Sequence, residues 1–221
     1  MLSDLRLYQL ISPALPVGAF TYSQGLEWAI ECGWVSDNTS LEQWLASVLE
    51  HSVVSLEIPV LTRLLAALRC GDDSGFDRWC RYLIAARETS ELRAEERQRA
   101  QALMRLLPAL EVPLPESVRA GSEMTQLGGM ALAAQHWNID GRDLCRGYLW
   151  SWLENAVMTG VKLVPLGQTE GQQLLMRLTD RLPSLLDRAL EVEDAEVGSS
   201  TPALAIASSL HETQYSRLFR S

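Results

Sequence analysis

Apolar residues recur at helical spacing along almost the whole chain, and this periodicity limits the fold more than any other feature. Leu41, Trp44, Leu45, Val48 and Leu49 follow the i, i+3, i+4, i+7, i+8 spacing of one helix face. The chain has no stretch of strand-like alternation, no internal repeat and no low-complexity tract. We therefore predict an all-α fold, a single-domain helical bundle of roughly nine or ten helices over residues 1–221.

Local signals set several boundaries of these predicted helices. Thr39 and Ser40 are followed three residues later by Glu42 and Gln43, so two overlapping capping boxes are expected to open a helix there. Pro59 interrupts the same apolar stripe, and a proline inside a helix removes a backbone donor. A break or kink is therefore expected at Pro59, with a new helix after it.

The composition excludes several classes of protein. The chain has 221 residues, 47% of them hydrophobic, and a formal net charge of -9, so a phosphate-backbone partner is not expected. No secretory signal or membrane-spanning run is visible, which predicts a cytoplasmic protein without a membrane partner. Cys32, Cys70, Cys80 and Cys145 are widely spaced, so we expect free thiols rather than a zinc site or disulfides.

The sequence carries no recognisable catalytic or metal-binding motif. Its three histidines, His51, His136 and His211, have no ligand spacing between them, and no phosphate-binding loop or Gly-x-Ser-x-Gly elbow is present. We therefore predict that the chain is not an enzyme and has no metal site. An autonomous helical metalloenzyme is an alternative to this prediction, and it would require tight metal binding by the isolated chain.

The segment 12–27 forms a distinctive connection between the first two predicted helices. Pro13 and Pro16 end the first helix, and the hydroxyls of Thr21 and Ser23 are placed to cap the second. Taken by itself, this pattern also fits an ordinary structural connection.

A charged run from residue 87 to residue 99 has two interpretations. Pairs such as Glu95 and Arg99, four residues apart, are typical of a solvated helix face. Alternatively, four residues of the run lock this helix to a neighbouring element or form a docking surface, namely Arg87, Glu88, Glu91 and Arg93.

Lys162 is the one charged residue in the apolar stretch 156–167, just after a helix expected over residues 143–158. Such a lysine either extends to water along apolar surface or meets a partner.

The last thirty residues contain two unusual segments. Residues 191–202 are acidic and rich in turn formers, so we expect a flexible connection. Residues 213–221 combine aromatic and arginine side chains, which are enriched in interface anchors. We expect a binding tail that becomes ordered on assembly, although chain ends are commonly frayed.

Four blocks of sequence together resemble the urease accessory proteins of the UreF family, from end to end of the chain. The blocks are, in order, residues 12–27, residues 87–93, residues 161–168 with Gln172 and Gln173, and residues 206–221.

The resemblance implies a helical, homodimeric protein that matures urease. It would be an adaptor between UreD (also called UreH), which holds apo-urease, and the GTPase UreG during nickel delivery. The alternative is a regulator of UreG, acting by GTPase activation or gating. Nickel, GTP and magnesium would belong to the wider complex, with no cofactor bound by this chain.

The residue patterns and the resemblance together give a set of expected partner-binding residues. These are Tyr22, Ser23, Glu27, Arg87, Glu88, Lys162, Gln168, His211, Glu212, Tyr215, Arg217, Phe219 and Arg220.

Overall fold

A computed structural model describes residues 1–199 and 201–221 of the chain. All regular secondary structure in these residues is helical, which confirms the prediction of an all-α single-domain bundle. The α-helices are α1 (Leu2–Ile11), α2 (Leu26–Glu31), α3 (Asn38–Val48), α4 (Ile58–Cys70), α5 (Asp73–Ala86), α6 (Ser90–Leu106), α7 (Glu116–Ser122), α8 (Gln126–His136), α9 (Gly141–Leu163), α10 (Gln168–Thr179), α11 (Leu182–Glu191) and α12 (Pro202–His211).

Two of these twelve helices go beyond the ten that the periodicity outlines. Helix α7 has only seven residues, too few to show a full apolar repeat. Helix α11 carries Pro183 in its first turn, a position where a proline is tolerated because its missing N–H has no intrahelical acceptor.

The centre of the bundle is formed by α8 and α9. Every residue from Gln126 to Ala134 in α8 is buried, so this helix is enclosed on all sides. Helix α9 packs against α1, α2, α3, α4, α10 and α11. Helix α8 packs against α1, α4, α5, α6 and α7, so most of the remaining helices contact one of these two, whereas α12 packs against α2 and α6.

Of the break or kink expected at Pro59, the break is wrong because the helical path continues through the proline, and the kink stays a prediction. Residues Leu49–Glu57 form a π-helix that joins α3 directly to α4. Proline cannot donate a hydrogen bond to the preceding turn, and the backbone N–H of Gly198 instead donates to the carbonyl of Ser55 at 2.8 Å. The widened π turn, with this outside donor, accommodates the proline without a break.

The capping boxes expected at Thr39 and Ser40 are also wrong. The N-cap of α3 is Asp37, whose carboxylate accepts the backbone N–H of Ser40 at 2.8 Å, while the Ser40 hydroxyl accepts the N–H of Asp37 at 3.1 Å. The reciprocal pattern exists two residues earlier because an aspartate fills the cap position equally well.

Helix α9 continues five residues beyond its predicted end and takes Lys162 into its last turn. Gly160 lies within this helix, where it allows close packing. A Cβ atom at this position would lie 2.6 Å from a methyl group of Leu41 in α3. The glycine therefore lets α9 and α3 approach each other, and the helix passes through it.

The acidic connection includes Ser200, which lies outside the described residues. Within the described part, Arg63 of α4 donates to the Asp194 carboxylate at 2.6 Å and to the Val192 carbonyl at 2.7 Å. The Tyr82 hydroxyl donates to the Val197 carbonyl at 2.5 Å. The flexibility expected of residues 191–202 stays a prediction.

Across residues 1–199 and 201–221, none of the helices combines the length and the apolar character needed to cross a lipid bilayer.

Candidate partner-binding surface

The loop between α1 and α2 brings its polar residues back toward the bundle. Its last turn contains Gln24 and Gly25, both with left-handed backbone angles, φ 52° and φ 78°. A Cβ atom on Gly25 would lie 2.8 Å from the backbone nitrogen of Ser208 in α12. Glycine at this position therefore lets the start of α2 rest directly on α12.

The C-terminal segment, residues 213–221, lies along this loop. The backbone N–H of Arg220 donates to the Thr21 carbonyl at 2.8 Å, and the N–H of Ser23 donates to the Ser221 carbonyl at 2.6 Å. The Ser23 hydroxyl donates to the same Ser221 carbonyl at 2.5 Å. These bonds place the tail on its own chain, and the expectation that it becomes ordered on assembly stays a prediction.

Tyr22 and Arg220 meet on a residue that the sequence did not single out. The Tyr22 hydroxyl donates to Oε1 of Gln98 in α6 at 2.8 Å, and Nη1 of Arg220 donates to the same oxygen at 3.3 Å. Burial, with Glu95 nearby, raises the pKa of Tyr22 above its ordinary value. Tyr22 is only 5% exposed, so it supports the tail from below.

Glu27 holds the tail by its backbone. Its two carboxylate oxygens accept the N–H groups of Leu218 at 2.7 Å and Phe219 at 2.9 Å. The Nε2 atom of His211 lies 3.3 Å from the same carboxylate. Since Ser23, Glu27 and His211 are all buried, they position the tail and present no surface of their own.

On the other side of His211, Nδ1 lies 2.7 Å from a carboxylate oxygen of Glu91 in α6. The second oxygen of Glu91 accepts a hydrogen bond from Arg217 at 2.7 Å. Glu212, next along the chain, accepts the backbone N–H of Ser90 at 2.9 Å at the start of α6. The tail, α6 and α12 are therefore joined by one set of polar contacts.

The charged run at residues 87–99 is not a solvated helix face at its key positions. Arg87 is 5% exposed, and its Nη2 atom lies 2.8 Å from Glu57 and 2.5 Å from Glu96. Thr125 donates to the other Glu96 oxygen, and Tyr148 donates to Glu57. Arg87 therefore locks the π-helix to α6 inside the core and is not available to a partner, whereas Glu88 is exposed.

The electrostatics of this buried network favour the ionised forms of Arg87 and Glu96 but not that of the neighbouring Glu95. Burial alone would raise the pKa of Glu96, but the Arg87 guanidinium outweighs that effect and the pKa is lowered. Burial would lower the pKa of Arg87, yet Glu57 and Glu96 keep it well above the ordinary value. For Glu95, burial prevails over Arg99 and the pKa is raised.

Lys162 lies at a second edge of the loop. It is exposed, forms no ion pair with any described residue, and is the single lysine of the chain. With Phe20 and Met158 it lines a cavity of about 250 Å³ between the loop and α9. Gln168 is exposed at the start of α10, past the turn that follows Lys162.

Several tail side chains point into solvent around these contacts. Tyr215 is 103% exposed and Leu218 is 83% exposed, while the Arg217 side chain is 40% exposed. The tail therefore shows aromatic, aliphatic and cationic groups on a framework fixed from below.

Three residues that build this surface were not among the expected partner-binding residues. Gln24, Glu95 and Gln98 join the loop, the tail and α6: Gln24 donates to Glu95 at 3.1 Å, and the Ser221 hydroxyl donates to Glu95 at 3.1 Å. A signal was present, because Glu91, Glu95 and Gln98 follow the i, i+4, i+7 spacing of one helix face.

No group of three or more histidine, cysteine or acidic side chains is arranged to hold a metal ion in the described part of the chain. Around His211, Glu27 and Glu91 approach different ring nitrogens and so do not converge on one point.

Comparison with known proteins shows which family the chain is similar to. A family model described as UreF matches residues 35–179. A urease accessory protein UreF of Alcanivorax borkumensis is 52% identical over 98% of this chain and 97% of its own length. Those of Pseudomonas putida (strain W619) and Escherichia coli O157:H7 are 52% and 48% identical over 100% and 98% of this chain, and over 98% and 97% of their own lengths.

Proposed function

Because this chain belongs to the UreF family of urease accessory proteins, we propose that it acts in urease maturation as a non-enzymatic adaptor. In this role it bridges UreD-bound apo-urease and the GTPase UreG in the cytoplasm. Nickel is the cargo of the assembly, and GTP and magnesium belong to UreG.

The observation that carries this proposal is the composite surface of loop and tail. Backbone hydrogen bonds join residues 21–23 to residues 220–221, and buried polar side chains fix the tail from below. Aromatic and arginine side chains of the tail remain exposed above these contacts. Such side chains are enriched in protein–protein interfaces. This arrangement supports docking of UreD at the tail.

The family resemblance ties the region around Lys162 to the partner GTPase, so we place a second contact, with UreG, at this residue. It is separated from the tail by the loop and lines its own cavity with Phe20. A lysine is a point charge without the planar fork of arginine, so docking or gating fits it better than direct stabilisation of a phosphoryl transition state.

Co-purification tests the adaptor role. The tagged chain should capture UreD, the pair should capture UreG, and the chain should restore urease activity to a strain that lacks it. Failure to capture UreD under conditions where the chain is folded would contradict the proposal.

A regulator of UreG is the alternative, favoured by the exposed Lys162. GTP hydrolysis by UreG, measured with and without this chain, separates the two roles. A rate change without stable UreD capture would favour regulation.

The resemblance further implies a homodimer. Leu2, Leu5 and Tyr8 of α1 are 66%, 55% and 62% exposed, an apolar row suited to a subunit contact. Sedimentation equilibrium of the isolated chain measures the oligomeric state directly.

A further inference from the structure

His211 is the one histidine of the chain that is fully buried, with 0% exposure, whereas His51 and His136 are exposed. It is placed at the end of α12, between α2 and α6, and both of its ring nitrogens contact carboxylates. Nδ1 lies 2.7 Å from Glu91 and Nε2 lies 3.3 Å from Glu27. No partner protein can touch this ring without moving the helices around it.

The two carboxylates that contact His211 are the same two that hold the tail. Glu27 accepts the backbone N–H groups of Leu218 and Phe219, and Glu91 accepts a hydrogen bond from Arg217. The position of the ring therefore fixes the direction in which both carboxylates face the tail.

The ring can satisfy both carboxylates only in one form. An imidazolium donates from both nitrogens, whereas a neutral imidazole donates from one and turns a lone pair toward the other carboxylate. The charged groups around the ring are Glu27 from α2, Glu91 from α6 and Arg217 from the tail, while Glu212 of the α12 end binds the start of α6. With an imidazolium, two positive groups balance Glu27 and Glu91, and with a neutral ring one carboxylate is uncompensated.

We propose that His211 is a positioning residue for the docking surface: through Glu27 and Glu91 it holds the tail in its binding geometry without contacting the partner. The expected effect of His211 on partner docking rests on the proposed function. The clasp itself, made of His211, Glu27 and Glu91, is a property of the isolated chain.

Hydrogen exchange and ring ¹⁵N shifts measured by NMR on the wild-type chain test the clasp without any variant. Protection factors of the Leu218 and Phe219 amides, corrected for intrinsic exchange rates, should fall in step with loss of the His211 ring proton. His51 and His136 provide exposed reference rings in the same spectra. Tail protection that is independent of the His211 titration would overturn the proposal.

A substitution of His211 measures how much this residue contributes to the protection of the tail amides. In His211→Gln, tail amide protection should fall by about tenfold or more, the ratio expected when a charge-assisted hydrogen bond is lost. The matched control His51→Gln, at an exposed helical histidine, should leave protection unchanged. Equal tail protection in His211→Gln and the wild type would overturn the proposal.

If His211→Gln does not fold, Glu91→Gln takes its place because it preserves the ring and its surroundings. A neutral His211 can donate to Glu27 and accept a hydrogen bond from the side-chain amide that this substitution introduces, so the pH profile of tail protection should flatten. A profile identical to that of the wild type would contradict the clasp.

Capture of UreD by each variant then separates the two proposals. Wild-type chain that never captures UreD refutes the adaptor role and leaves the exchange results intact. His211→Gln that loses tail protection yet captures UreD at wild-type affinity refutes the positioning role.

Discussion

At the scale of single residues, burial divides the polar side chains expected to bind partners into two groups. Tyr22, Glu27, Arg87 and His211 lie inside the molecule, where each meets specific polar partners. Lys162, by contrast, reaches solvent, as do most side chains of the tail. The first group determines shape and stability, and the second is available for recognition.

Arg87→Met should lower the free energy of unfolding by roughly 3 to 5 kcal/mol, because it leaves the buried carboxylates of Glu57 and Glu96 without their cation. Thermal unfolding followed by circular dichroism measures the loss. Glu88→Ala, at the exposed neighbour, should change stability by less than about 0.5 kcal/mol. Similar melting temperatures for both variants would show that the network is not holding the fold.

Lys162→Ala should leave the fold intact and weaken the handling of UreG. The side chain is exposed and unpaired among the described residues, so stability should change by less than about 0.5 kcal/mol. Pull-down of UreG by the UreD-bound variant and urease activation measure the effect, with Lys162→Arg as the charge-preserving control. Normal UreG capture and full urease activation by Lys162→Ala would show that Lys162 extends into solvent without a role in partner binding.

At the scale of elements, the apolar spacing located ten of the twelve described helices, but it did not reveal contacts between them. Pro59 indicated a local interruption, but the helix continues there with a donor from Gly198, far along the chain. Gly160 likewise marks tight packing on Leu41, which no local pattern encodes. Sequence periodicity therefore predicts the existence of helices well, while their continuity depends on neighbours that are distant in sequence.

The same limit applies to the candidate surface. The residue types of the loop, of Lys162 and of the tail identified the right segments. The charged run of α6 was open to two interpretations because i, i+4 pairs occur on exposed and buried faces alike. Only the tertiary contacts with Glu57 and Tyr148 show that Arg87 is internal.

The start of α6 offers a prediction at this scale. Glu212 caps it from α12, and the hydroxyl of Ser90 with two backbone N–H groups holds the pKa of Glu212 below its ordinary value. The stability it contributes should therefore be fully present above the ordinary glutamate pKa and lost as pH falls through the lowered one.

The stability difference between wild type and Glu212→Ala, measured by urea unfolding across acid and neutral pH, tests this. It should be largest near neutral pH and shrink in acid. Glu88→Ala, which removes an exposed carboxylate near the same helix start, should show no such pH dependence. A Glu212→Ala difference that stays constant with pH would exclude a charge-dependent cap.

At the scale of the whole molecule, the loop and the tail form one surface from the two ends of the described chain. Deleting residues 213–221 should preserve helical content, since the segment contains no helix, and should abolish capture of UreD. It should also lower the melting temperature, because the polar groups of Ser23 and Glu27 lose their tail partners.

Tyr215→Ala is the matched control for stability, since this side chain is fully exposed and should leave the melting temperature unchanged. A deleted chain that captures UreD at wild-type affinity would exclude the tail from the interface. An unchanged melting temperature after deletion would contradict the packing of the tail on the loop.

The bond between Ser23 and Ser221 joins positions 198 residues apart, which has a consequence for biosynthesis. At ordinary translation speeds, a ribosome needs roughly 10 to 40 seconds to add that many residues. Throughout this interval a nascent chain has its loop but no tail to place on it. Any recognition that requires the joined surface therefore waits until residue 221 has been added to the chain, so translation sets the earliest moment at which such recognition can begin.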